Sequence, residues 1–113
     1  KGTAQSLDVQ LSIEDLGTVY DIKNDPELVE YLKEVASQCP LVKAVTTHSD
    51  FGGSEDASII IKRIQQLFGK CIYFAIGADR TAGHHQPDFD ADEAALEIGF
   101  EMFKGLIRKI NGC

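Results

Sequence analysis

Toward the C-terminus, Leu96, Phe100, Phe103, Ile107 and Ile110 step by four and three residues. That spacing gathers them into one stripe on a helix. A helix of this kind draws most of its stability from whatever packs on its apolar face. The stripe therefore predicts a long helix with one covered face, and a sheet is the expected cover. Asp90, three residues before Glu93, has the spacing of a capping box and predicts the start of this helix.

The segments upstream supply candidates for the cover. In Asn24-Asp25-Pro26-Glu27 a capping residue precedes a proline that is tolerated in the first helical turn. Leu28, Tyr31, Leu32 and Val35 follow at helical spacing, and Cys39-Pro40 ends the run, because the residue before proline disfavours the α conformation. Residues 41–47 are short, β-branched and mostly apolar, as a strand buried on both faces would be. Gly52-Gly53-Ser54-Glu55-Asp56 then supplies flexible backbone, a capping serine and two acids for a helix start. That helix is expected to bury Ile60, Ile64 and Leu67 and to stop at Gly69. Residues 71–76 read as a second apolar strand, and 77–91 as a loop.

From residue 24 onward the order is α-β-α-β-α, which predicts an α/β fold with a layered sheet flanked by helices. The first residues differ. Ser6 to Ile13 alternates apolar and polar side chains strictly, the period of a strand with one wet face, and Val19, Tyr20 and Ile22 suggest a second extended stretch. The expected division is 1–23, as terminal strands of another domain, and 24–113.

At 113 residues, with 43% apolar and 26% charged residues, the chain has the length and composition of one small globular domain with a single core. Eleven basic against eighteen acidic residues give a net charge of −7, and no basic stripe is present, so a nucleic-acid partner is not expected. Cys39, Cys71 and Cys113 are far apart and lack a C-x-x-C spacing, which predicts a reducing, cytoplasmic setting. No apolar run approaches the roughly 20 residues needed to span a bilayer.

The chemistry concentrates in two places. His84 and His85 lie in the long loop after the second apolar segment, where open α/β sheets place their ligands. Asp88, Asp90 and Asp92 stand nearby to orient an imidazole. Taken alone, such a pair in a polar loop is more often solvated than metal-bound. The turn Gly52 to Asp56 offers backbone N–H groups to an anion, although taken alone a plain capped helix is the favoured reading. Asp79 and Arg80 read as a surface pair, His48 as structural, and Tyr20, Tyr31 and Tyr73 as packing residues. No nucleophile elbow, P-loop or dinucleotide fingerprint occurs.

In series, Gly52-Gly53-Ser54-Glu55-Asp56, the segment Tyr73 to Gly77, His85-Gln86-Pro87-Asp88-Phe89 and Glu93 resemble the C-terminal end of metal-dependent amidohydrolases of the aminoacylase/carboxypeptidase family. The aminobenzoyl-glutamate and auxin-conjugate hydrolases belong to that family. The resemblance covers about residues 24 to 110 and rests on a G-S-E-D turn followed by H-x-P-x-F and an acidic helix start.

The resemblance implies a parent enzyme that holds two divalent ions, zinc or manganese, and cleaves amide bonds of N-acyl or N-aroyl amino-acid conjugates with metal-activated water. His85 matches the last metal ligand. His84, Gly53, Ser54, Glu55 and Asp56 become candidates for contacting substrate or supporting the metal ligands, and residues 1–23 become the last strands of a lid or dimerisation domain. The family's catalytic glutamate and remaining ligands lie upstream of the matched region, so no catalytic residue is assigned here. The expectation is a fragment inactive by itself, with a small amide substrate and self-association through an exposed strand edge. The alternative is a non-catalytic binding or assembly module that keeps the fold.

Overall fold

Pro26 opens a helix, as the Asn24-Asp25-Pro26 sequence predicts, but the acid before it does not cap that helix. The computed structural model describes residues 2–47 and 55–112. Among them lie four helices: α1 (Gly2–Ser6), α2 (Pro26–Gln38), α3 (Ala57–Gln66) and α4 (Ala94–Asn111). All three longer helices fall where helical spacing predicts them.

The layered sheet does not form among the described residues, which overturns the α/β expectation. Their β pairing is limited to one isolated antiparallel bridge, Arg80 to Ala91. Alternating or β-branched sequence favours extended backbone, but a sheet also requires a second strand in register to take up its N–H and C=O groups. Residues 71–73 find other partners. Asp25 N–H donates to the Cys71 carbonyl at 3.1 Å, and Cys71 N–H donates to Asp25 Oδ2 at 2.7 Å. Tyr73 N–H donates to Asn24 Oδ1 at 2.7 Å, while Asn24 Nδ2 donates to the Tyr73 carbonyl at 2.8 Å. Asn and Asp side chains have the reach to satisfy backbone in this way, and here they replace a neighbouring strand.

The strand expected over Ser6 to Ile13 fails for the same reason. Helix α1 ends where that strand was to begin, and the alternating residues Leu7, Val9, Leu11 and Ile13 are more than half exposed. The strand edge expected to drive self-association is thus missing among the described residues. Tyr20 ties this region to the rest, its N–H donating at 3.0 Å to the hydroxyl of Ser58, which is 1% exposed.

Packing is concentrated where α2 crosses α4. A Cβ added at Gly105 would stand 2.5 Å from Val35 Cγ1, so the missing side chain sets how closely the two helices approach. Ala36, Met102 and Leu106 are buried, as is Ile61 of α3. The extended segment 71–76 runs beside α4, with the Phe74 and Phe103 rings 5.1 Å apart.

The stripe predicted as covered lies largely open instead. Leu96 is 73% exposed and Phe100 64%, and Ile60 of α3 and Leu67 just after it are similarly open. Helix α4 buries a different face from the one expected, and α3 turns Ser58 and Ile61 inward while Ile64 of its expected stripe is half-buried. The radius of gyration is 19.7 Å, against about 13 Å for a compact domain of this length. A single core therefore does not organise these residues.

Helix ends also depart from expectation. Helix α4 starts after Glu93, and Asp92 Oδ1 accepts from Ala94 N–H at 3.0 Å, so Asp90 and Glu93 form no capping box. Helix α3 closes with Phe68 N–H donating to Gln65 O and Gly69 N–H to Ile64 O, each at 3.0 Å. This is a Schellman closure in which Phe68, at φ 62°, takes the left-handed position expected of Gly69.

Candidate functional site

The loop carrying both histidines is closed by hydrogen bonds at its base. Asp92 N–H donates to the Asp79 carbonyl at 2.9 Å and Thr81 N–H to the Asp90 carbonyl at 3.0 Å, flanking the Arg80–Ala91 bridge. The Thr81 hydroxyl donates to the Asp88 carbonyl at 2.6 Å and accepts from Asp90 N–H at 2.9 Å. At the tip, Gln86 N–H donates to the Gly83 carbonyl at 3.3 Å and Phe89 N–H to the Gln86 carbonyl at 3.1 Å. The expected loop is present, with an ordered path rather than an open excursion.

The two histidines have different surroundings. His84 stacks on Phe89, with ring centroids 5.2 Å apart and planes inclined by 30°. His85 has φ 65°, a left-handed conformation that histidine enters more readily than most residues. Its imidazole is exposed and makes no hydrogen bond or ion pair among the described residues. One imidazole of this kind fits a metal as a single donor, whereas a site takes three or four. Among the described residues no group of three or more His, Cys, Asp and Glu side chains is placed to hold a metal.

None of the aspartates expected to orient the histidines hydrogen-bonds to either of them among the described residues. Asp90 Oδ1 accepts from Ala91 N–H at 2.9 Å and Asp92 Oδ1 from Ala94 N–H at 3.0 Å, while at Asp88 it is the backbone carbonyl that receives the Thr81 hydroxyl. Asp79 and Arg80 contribute backbone to the base of the loop and form no ion pair with each other among the described residues.

Of the glycine-rich turn, Glu55 and Asp56 are described, while Gly52, Gly53, Ser54 and also His48 lie outside the described residues. Glu55 is held at both oxygens. Oε1 accepts from Ala57 N–H at 3.3 Å and Oε2 from the Tyr73 hydroxyl at 3.0 Å. Burial, and then this hydrogen bond, raise the Tyr73 pKa above the ordinary 10.0. Asp56 makes no side-chain cap at α3. No hydrogen bond or ion pair joins Glu55 or Asp56 to His84 or His85 among the described residues.

Thr81, Asn24 and Tyr73 were not legible as site-forming residues, because each acts across seven or more positions on backbone or on a carboxylate. An open groove of about 690 Å³ lies between α2 and α4 beside Glu34, Val35, Glu101 and Lys109, and none of the predicted site residues lines it.

The model of peptidase family M20/M25/M40 matches residues 8–109, and the chain belongs to that family. Its relatives are named hydrolases. A homolog of one p-aminobenzoyl-glutamate hydrolase subunit, from Haemophilus influenzae, is 40% identical over 110 residues, which are 97% of this chain and 26% of that protein. An indole-3-acetyl-aspartic acid hydrolase of Enterobacter agglomerans is 33% identical over 101 residues, 88% of this chain and 23% of that one. The corresponding p-aminobenzoyl-glutamate hydrolase subunit of Escherichia coli is 32% identical over 102 residues, covering 89% and 23%. The chain thus spans about a quarter of the length of these relatives. No solved structure matches it. No helix among the described residues is long and apolar enough to cross a membrane.

Proposed function

We propose that this chain is the C-terminal part of an amidohydrolase that cleaves N-acyl or N-aroyl amino-acid conjugates, and that His85 supplies one ligand to a divalent metal. The observation that carries the reading is the unpartnered His85 imidazole at the tip of a closed loop, within a chain that matches the M20 family over residues 8–109. The relatives' names point to an amide formed between a carboxylic acid that bears an aromatic ring and the amino group of an acidic amino acid. Zinc or manganese would lower the pKa of a bound water and polarise the amide carbonyl. This chain's part is to hold the imidazole in place and to keep the Glu55 carboxylate oriented at the head of α3.

The open apolar stripe of α4 and the quarter-length match support a larger parent protein, with the remaining ligands outside this chain. Division near residue 23 and a small acidic amide as substrate belong to the same proposal. The second reading, a non-catalytic assembly module, draws on the single donor that the described residues offer. Turnover of p-aminobenzoyl-glutamate and indole-3-acetyl-aspartate by the full-length protein, with and without His85→Ala, separates them. Activity abolished by the substitution supports the enzyme; no activity in a metal-replete wild type supports the module.

A further inference from the structure

The Thr81 hydroxyl stands at the point where the two arms of the histidine loop meet. A hydroxyl has one proton to give and lone pairs to accept with, and both functions are used across the loop. It donates to the Asp88 carbonyl at 2.6 Å, and it accepts from Asp90 N–H at 2.9 Å. The Asp90 carbonyl, at 3.5 Å, is a poorer acceptor for the same proton. Thr81 N–H adds a third link to Asp90 at 3.0 Å. The seven residues from Ala82 to Asp88 are thereby clasped at their ends, with His85 at the centre in its left-handed conformation.

We propose that Thr81 is a positioning residue for His85, its hydroxyl fixing the width of the loop and so the place where the imidazole is presented. The inference rests on the reading of His85 as a metal donor and adds to it the group that sets the donor's position. A ligand held off its productive place binds metal more weakly even when its chemistry is intact. Groups that orient metal ligands typically contribute about 10–100-fold in metal affinity. The two backbone hydrogen bonds that make the Arg80–Ala91 bridge, from Asp92 N–H to Asp79 and from Thr81 N–H to Asp90, do not involve the hydroxyl, so they keep the base closed when it is lost and confine the effect to the tip.

The experiment uses the full-length protein with Thr81→Val, Thr81→Ser and His85→Ala. Affinity for Zn²⁺ is read by competition with a chromogenic chelator, and amide exchange at Asp90 is read in metal-free protein. Thr81→Val is expected to weaken Zn²⁺ binding about tenfold or more and to speed Asp90 exchange with an unchanged melting temperature. Thr81→Ser, which keeps the hydroxyl, is expected to restore both. If His85→Ala weakens Zn²⁺ binding but Thr81→Val matches wild type, the clasp is wrong while the ligand reading stands. If His85→Ala leaves Zn²⁺ binding unchanged, the ligand reading fails first. A serine variant as weak as the valine variant, or a valine variant that unfolds, also overturns the proposal, because the effect would not come from the hydroxyl at the loop.

Discussion

The Tyr73 hydroxyl donates to Glu55 Oε2 at 3.0 Å, joining the segment before the histidine loop to the residue that leads into α3. Burial and this bond favour the protonated phenol and raise its pKa above 10.0. A group whose pKa is raised on folding stabilises the protein fully below its unfolded value and loses that contribution as pH rises through the folded one. Urea midpoints from about pH 8 to 11 should therefore fall more steeply above about pH 10 for wild type than for Tyr73→Phe. At about pH 8 the variant should be less stable by about 1 kcal/mol. Parallel curves would remove the hydrogen bond from the account.

Gly105 marks the closest approach of α2 and α4. Alanine there should destabilise by about 1–3 kcal/mol through overpacking against Val35, despite alanine's higher helix propensity. Adding Val35→Ala should recover part of that loss, since residues in contact are coupled. Denaturant unfolding of the two single variants and the double variant checks both statements.

The closure of α3 makes two opposite predictions at adjacent positions. Phe68 is 99% exposed at φ 62°, so Phe68→Gly should gain about 1 kcal/mol by removing left-handed strain. A Cβ at Gly69 would stand 2.7 Å from Ile64 Cγ2 and 3.2 Å from the Ile64 carbonyl oxygen, so Gly69→Ala should lose stability. Thermal melts of the two variants should shift in opposite directions.

Helices α2, α3 and α4 were legible in the sequence because 3.6-residue spacing and Pro26 act locally. The buried face of α4 was not: Leu96, Phe100, Phe103, Ile107 and Ile110 form the more regular stripe, yet Met102 and Leu106 meet the neighbouring elements. Periodicity says that a face is apolar, and only the partner decides which face is used. Residues 71–73 read as a strand by composition, but Asn24 and Asp25 took their backbone groups. The histidine loop was legible from His85-Gln86-Pro87-Asp88-Phe89, whereas its Thr81 clasp joins residues far apart in the loop and has no sequence period.

Glu27 accepts from the Tyr31 hydroxyl at 2.9 Å and pairs with Lys70. The Lys70 and Tyr31 hydrogen bonds lower its pKa from 4.5. A depressed carboxyl stabilises above its unfolded pKa and loses that contribution as pH falls through the folded value. Glu27→Gln should thus be less stable than wild type at neutral pH, with the difference closing below about pH 4.5. Because the pair is exposed, salt at about 0.5 M should shrink the difference as well. Chemical denaturation across pH and salt provides the check.

The most direct test of the central claim is the metal content of the full-length protein, measured by elemental analysis after equilibration with Zn²⁺ and removal of free ion. Wild type should retain metal, and His85→Ala should lose about one ion per chain with its melting behaviour otherwise preserved. Equal metal in the two proteins would contradict the assignment of His85 as a ligand and leave the closed loop as scaffold.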